Sequence, residues 1–343
     1  MKRVAVLNTQ VPFTRGGAEI LCESLVEQIN RLPGIQADLL TLPFKWYPDE
    51  RLIADTRMWR DLDLSESDGQ PIDLLIATKF PTYAVRHPNK VLWLVHQHRQ
   101  AYDPAFDPEQ RHTATNLGLR ALDDLFFQEC RGLFSISNRV SERLHRFNGF
   151  RAEALLPPSG FAGRIQSGDY SDTLIYFGRL NEWKRPDMLV RAVAAVPRAK
   201  ARIIGTGPEP YVEELRRLID ALGVGDRVEL LGFLDDAALL HELARCRAVF
   251  YAPYDEDYGF STIEAFLAHK PVLTLADSGE VQSLVTLTGS GIVARDEAAL
   301  AHGVERLYGM TAGELHAMAD PGQAFARTIG WPRILQKLVL DNL

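Results

Sequence analysis

Short apolar runs alternate with amphipathic stretches through the first half of the chain. The runs Val4–Leu7, Ala37–Leu42, Asp73–Thr78, Val91–Val95 and Leu133–Ile136 predict strands. A helical periodicity over Ala18–Arg31, Thr115–Arg131 and Asn138–Phe147 predicts helices between them. The cluster Pro157-Pro158-Ser159-Gly160 interrupts the series and reads as a linker or loop. The alternation then restarts more regularly. Strands are predicted at Leu174–Phe177, Ala201–Ile204, Val228–Leu231, Ala248–Tyr251 and Pro271–Leu275. Helices are predicted at Arg185–Val196, Glu209–Leu222, Asp236–Arg245 and Ser261–His269. Repeated strand–helix units build parallel sheets wrapped by helices. Two such series predict an α/β protein of two domains, 1–158 and 159–325, with a cleft between them. A short amphipathic tail at 326–343 can pack back on the first domain.

Composition agrees with this plan and removes some function classes. A chain of 343 residues fits two cores, and 46% hydrophobic with 24% charged residues excludes disorder. The net charge of -7 argues against a general nucleic-acid binder, which needs a basic face. Cys22, Cys130 and Cys246 are scattered without metal-ligand spacing and fit buried thiols in a reducing compartment. No run approaches the ~18 apolar residues of a spanning helix, and no signal-peptide pattern follows Met1-Lys2-Arg3. The expectation is a cytoplasmic protein.

Ligands of open α/β sheets bind beyond the carboxyl ends of strands, so polar residues just after strands carry the candidate chemistry. The densest stretch is Tyr254–Glu264, where Glu256 and Glu264 flank Gly259-Phe260-Ser261 at a helix start. Such an end attracts anions, and carboxylates there can accept hydrogen bonds from sugar hydroxyls. Ser261-x-x-Glu264 also matches a helix capping box, the better reading of that pair alone. Its company with Glu256 and the upstream loops favours a ligand instead.

Arg179 and Lys184, five apart in a strand-to-helix loop, suit a diphosphate, although Arg185 beside them also fits a solvated basic loop. Gly16-Gly17 fits a phosphate approach or a simple turn equally well. Gly205-Thr206-Gly207-Pro208 fails the dinucleotide fingerprint, because Pro210 stands at the third glycine position. A loop against a nucleotide base and a plain turn both remain open there.

His96 and His98 follow an apolar strand and fit a sugar contact or core histidines. Asp61-x-Asp63 and Asp255-x-Asp257 formally match acid pairs for a metal. With Arg179 and Lys184 supplying cations, no metal is required. The aromatic and cationic stretch Phe44–Arg60 reads as an exposed insertion rather than an acceptor or membrane surface, and Arg139, Arg143 and Arg146 as a solvated helix face.

In their order along the chain, Gly178-Arg179-Leu180, Lys184, Gly205-Thr206-Gly207-Pro208, Leu231-Gly232-Phe233 and Glu256-x7-Glu264 resemble the family 4 retaining glycosyltransferases of the GT-B fold. The likeness runs from Tyr176 to about Val293. In the first half it rests on Gly16-Gly17-Ala18-Glu19 and the His96 region. The resemblance implies two Rossmann-like domains and transfer of a sugar from a nucleotide-diphosphate sugar, with no cofactor. Arg179 and Lys184 would hold the diphosphate, Glu264 the ribose hydroxyls and Glu256 the transferred sugar. Gly259, Phe260 and Ser261 would cradle sugar and phosphate, and Thr206 and Phe233 would border the base. Gly16 and Gly17 would approach the phosphates from the other domain, with His96 facing the sugar.

The implied acceptor is a glycan or lipid-linked hydroxyl, as in surface polysaccharide biosynthesis. A peripheral contact with the cytoplasmic membrane face is left open. Two departures stand out. Gly279-Glu280-Val281-Gln282-Ser283 replaces a common Gly-Gly-x-x-Glu run, and His269 occupies a position that is commonly small. A catalytically silent sugar-nucleotide binder and another two-domain enzyme, such as an epimerase, are the alternatives.

Overall fold

Parallel strands covered on both faces need continuous apolar runs rather than alternation, and the first half of the chain supplies them. They become β1 (Lys2–Gln10), β2 (Ile35–Pro43), β5 (Leu74–Lys79), β6 (Lys90–His96), β7 (Gly132–Ser135) and β8 (Glu153–Ala154). The short β3 (Glu66–Ser67) and β4 (Gln70–Pro71) pair separately as an antiparallel ribbon. The computed structural model describes residues 1–102 and 112–343, apart from the side chain of Glu50. The chain divides into two compact units, Met1–Pro157 with Gly330–Leu343, and Pro158–Ile329.

The first unit holds a sheet of order β2-β1-β5-β6-β7-β8 in which every pairing is parallel. Its central register sets Val6 beside Ile76 and Ala77 beside Leu92, all fully buried. The strand order reverses at β1 and β5, so the loops after those two strands border the crevice where such sheets bind ligands. One stretch read as an exposed insertion is partly a helix, Glu50–Asp61, whose Leu52 and Trp59 are buried. Arg143, assigned to a solvated face, is likewise buried.

The tail helix Trp331–Leu338 belongs to this first unit. It buries Ile334 and Leu338 and sets the Trp331 ring edge-on to Trp93 at 6.4 Å. Arg333 pairs with Glu153 at 2.8 Å, and Asn89 Nδ2 donates to the Asn342 carbonyl at 2.8 Å.

The second unit contains β9 (Thr173–Phe177), β10 (Lys200–Ile204), β11 (Val228–Gly232), β12 (Ala248–Phe250), β13 (Val272–Leu275) and β14 (Gly291–Ala294). They form a parallel sheet of order β11-β10-β9-β12-β13-β14. This is the Rossmann order, with its reversal between β9 and β12. Helices Glu280–Thr288, Glu297–Gly309 and Ala312–Thr328 extend the unit beyond the predicted elements. The buried Lys270 donates from Nζ to the Gly168 carbonyl at 2.8 Å and lies 4.0 Å over the Tyr170 ring, which ties down the incoming chain. No helix of the described residues is long and apolar enough to cross a membrane.

Candidate functional site at the second switch point

The loops leaving β9, β10 and β11 lie backbone against backbone at one edge of the sheet. Gly178 N–H donates to the Ile204 carbonyl at 3.0 Å, Leu180 N–H to Thr206 at 2.9 Å, and Gly205 N–H to Gly232 at 2.8 Å. A Cβ on Gly205 would stand 1.8 Å from the Gly178 carbonyl oxygen, so only glycine permits this approach. The stacking leaves Arg179, Thr206 and Phe233 exposed on successive loops.

After β12 the chain runs through Tyr251–Gly259 to the helix Phe260–Leu267. Here Lys184 and Glu256, one from each side of the switch point, form an ion pair. Lys184 Nζ also donates to the Tyr251 hydroxyl at 3.1 Å. Both partners are largely shielded, with side-chain exposures of 24% and 18%. Arg185 is no solvated neighbour of this pair. Its guanidinium donates to the Ala252 and Pro253 carbonyls at 2.7 and 3.0 Å and forks onto Asp277 at 2.7 and 2.9 Å. Arg185 and Asp255, the immediate neighbours of Lys184 and Glu256, hold left-handed backbones with φ of 52° and 43°. Such conformations cost about 1–2 kcal/mol each and persist where contacts over-determine them, as the Arg185 fork does.

The altered loop at Gly279 completes the clamp. Gly279 caps the helix Glu280–Thr288 with φ of 62°, and a Cβ there would lie 2.5 Å from the Glu256 carbonyl oxygen. Glu280 N–H donates to that same oxygen at 2.9 Å. The backbone of Glu256 is thus held against the loop at Gly279-Glu280.

The capping-box alternative does not occur. The N-cap is Gly259 in the left-handed region, and no side chain caps the helix. Ser261 lies two residues inside the N-cap, and its hydroxyl donates to the Phe177 carbonyl at 3.3 Å at the end of β9. The helix thus starts beside the end of β9 without a capping side chain, an arrangement suited to an anion. Glu264 is buried and accepts from the Ser159 hydroxyl at 2.8 Å. Burial pushes its carboxyl up to about 7, against the opposing effect of the Ser159 hydrogen bond.

His269, at the commonly small position, has φ of 60° and is held by Asp320 at 2.7 Å and His316 at 3.0 Å. Its left-handed backbone explains why glycine would serve equally there.

The first unit gathers its own candidates at the carboxyl edge of its sheet. Gly16 caps the helix Gly17–Ile29, and its N–H donates to Glu19 Oε2 at 2.9 Å. Glu19 in turn pairs with the buried Lys79 at 2.6 Å, at the end of β5. His96 ends β6, with Nδ1 3.0 Å from the Gln97 carbonyl, and His98 is buried against Phe80 at 5.3 Å. Among the described residues, no three His, Cys, Asp or Glu side chains are grouped to hold a metal ion.

Sequence reasoning missed Ser159, Lys79, Tyr251, Arg185 and Asp277 as parts of these arrangements. Lys79 alone carried a signal, as a charge closing an apolar strand.

Residues 164–320 match the family described as glycosyl transferases group 1. The D-inositol 3-phosphate glycosyltransferase of Mycolicibacterium smegmatis is 30% identical over 158 residues, which cover 44% of this chain and 36% of that protein. Its counterpart in Actinosynnema mirum is 26% identical over 210 residues, covering 54% of this chain and 50% of that one. The chain thus spans half or less of the length of these curated relatives. Sucrose-phosphate synthase from Thermosynechococcus elongatus superposes with a TM-score of 0.74 at 16% identity, covering 98% of this chain and 97% of that one. Anabaena HepE in complex with UDP and glucose superposes with a TM-score of 0.69 at 20% identity, covering 98% and 99%. The fold is the GT-B pair of Rossmann-like domains, and in the second of them the stretch that carries Glu256 and Glu264 is similar to the group 1 glycosyl transferases.

Proposed function

We propose that this chain is a retaining glycosyltransferase of the hexosyltransferase type. It moves a sugar from a nucleotide-diphosphate sugar to a hydroxyl of a glycan or lipid-linked acceptor, with no metal ion or other cofactor. The observation that carries the reading is the Lys184–Glu256 pair beside an uncapped helix start at the Rossmann switch point. HepE, of the same fold, was solved with UDP and glucose, which supports a nucleotide-sugar donor.

In this reading Arg179, Lys184 and the N–H groups of Phe260 and Ser261 receive the diphosphate. Without ligand, Lys184 is engaged by Glu256. An arriving phosphate draws the ammonium away and leaves the carboxylate free to accept from hydroxyls of the sugar. Glu264 accepts from the ribose, and Thr206 and Phe233 border the base. Gly16, Gly17 and His96 serve the phosphates and sugar from the first domain.

The bond from the anomeric carbon to the diphosphate breaks as the acceptor oxygen bonds to the same face. The acceptor proton passes to the departing phosphate oxygen, so neither glutamate attacks the sugar. Negative charge grows on the leaving group, and each preorganised donor facing it can lower the barrier by about 3 kcal/mol.

A cytoplasmic location follows from the use of nucleotide sugars. Exposed Trp46 and Tyr47, with Lys45 over the Tyr47 ring at 4.5 Å, support contact with an acceptor-bearing membrane face. The test is product analysis by proton NMR with acceptor glycans and lipid-linked acceptors, with and without EDTA. The reading expects the donor's anomeric configuration in the product and no loss of rate with chelator. An inverted product, or a rate restored only by added metal, refutes it.

A further inference from the structure

We infer that Ser159 is a positioning residue for the ribose of the donor, acting through Glu264; this rests on the role proposed above for Glu264. Ser159 is the second residue of the second unit, in the segment where the chain leaves the first. It is buried, 105 positions from Glu264 in sequence, and its hydroxyl is the hydrogen-bond partner of Glu264 Oε1 at 2.8 Å.

The direction of that bond is set locally. Phe161 N–H donates to Ser159 Oγ at 3.0 Å, and the Ala162 N–H donates to the Ser159 carbonyl at 3.1 Å, so a tight turn holds the side chain. With one lone pair occupied by an amide, the hydroxyl proton points to the carboxylate. A turn serine alone needs no distant acid. A buried acid alone needs a donor, and this one is supplied by the crossing segment.

The consequence is a fixed carboxylate orientation. Oε1 is taken by Ser159, which leaves Oε2 and the second lone pair of Oε1 for the two ribose hydroxyls. The buried Tyr258 feels the charges of both Glu264 and Glu280, and neither Tyr258 nor Glu280 offers a cation to hold Glu264 in place of Ser159. Losing the Ser159 donor frees the carboxyl to turn, and the ribose then meets a mobile acceptor. Occupancy of the ribose site also reaches the crossing segment itself through the same hydroxyl.

The experiment uses calorimetric titration of the whole chain with whichever of UDP, GDP and ADP it binds, and with the 2′,3′-dideoxy form of that nucleotide. At pH 8, where the Glu264 carboxyl is ionised, the wild type is expected to favour the ribose form by about tenfold or more, the worth of a hydrogen bond to a charged group. Ser159→Ala should lose most of that ratio while keeping its affinity for the dideoxy form. Ser159→Thr should restore it, and Ser159→Ala added to Glu264→Gln should change nothing further. Ser159→Cys keeps the volume with a poorer donor and replaces the alanine variant if that one does not fold. A wild-type ratio in Ser159→Ala, with the ratio lost in Glu264→Gln, overturns the role of Ser159 and leaves that of Glu264 intact. A wild type that does not distinguish the two forms, or that binds none of the three nucleotides, overturns both.

Discussion

Glu264→Gln separates the buried acid's electrostatic cost from its use. The wild-type carboxyl is buried and accepts from the Ser159 hydroxyl, and burial raises it from 4.5 to about 7. An unfolded chain ionises this group at the ordinary value, so between these two pH values the folded state binds the extra proton. Stability from this source is complete below the lower value, falls as pH rises, and is gone above about 7. Each pH unit in that window is worth about 1.4 kcal/mol, which makes the whole loss roughly 3 kcal/mol.

The glutamine amide accepts the same Ser159 hydrogen bond without titrating. Urea unfolding at pH 5, 6, 7 and 8, read by pulsed hydrogen exchange on peptides of residues 158–329, isolates this unit. That matters because Asp123 in the first unit is also raised to about 7 by burial, between the hydroxyls of Tyr83 and Tyr102 at 2.9 and 2.8 Å. The wild-type unit should lose roughly 3 kcal/mol from pH 5 to 8 and the variant little, so that the variant is the more stable at pH 8. Parallel curves for the two proteins would show that the carboxyl is not held neutral by burial, and the reasoning fails.

Other outcomes follow from the clamp. Gly279→Ala places a Cβ 2.5 Å from the Glu256 carbonyl at a φ of 62°; denaturation should show a loss of roughly 2–4 kcal/mol, and transfer should fall with it. Arg185→Lys keeps the charge but loses the fork onto Asp277, costing roughly 2 kcal/mol in the melting curve while diphosphate affinity falls less than in Lys184→Met. Arg179→Ala, at an exposed position, should leave stability within about 0.5 kcal/mol and weaken nucleoside diphosphate binding by about tenfold in titration calorimetry. Unchanged affinity there removes Arg179 from the diphosphate site.

Much of this was legible in the chain because parallel strands announce themselves as continuous apolar runs, and β1, β5, β6, β9 and β10 all do so. Arg179, Lys184, Glu256 and Glu264 stand out as candidates because they lie in, or in the helix just beyond, the loops that follow strand ends. What escaped was set by distance or by backbone. Ser261-x-x-Glu264 carries the letters of a capping box, but the left-handed Gly259 begins the helix earlier and sends Ser261 to Phe177 instead. Arg185 looked like one more solvated cation, since its partners lie 67 to 92 positions away. The helix Glu50–Asp61 was hidden by aromatic and charged residues whose buried members, Leu52 and Trp59, share one face at a spacing of two turns. Ser159 read as linker punctuation because nothing local hints at an acid 105 residues on.

The most direct measurement is release of free nucleoside diphosphate from a panel of UDP-, GDP- and ADP-sugars, for the wild type and for Glu256→Gln. Release by the wild type from at least one donor, with a large fall in rate but retained nucleotide binding in Glu256→Gln, is the predicted result. No release from any donor, or an equal rate in both proteins, would contradict a sugar-transfer site built on Lys184 and Glu256.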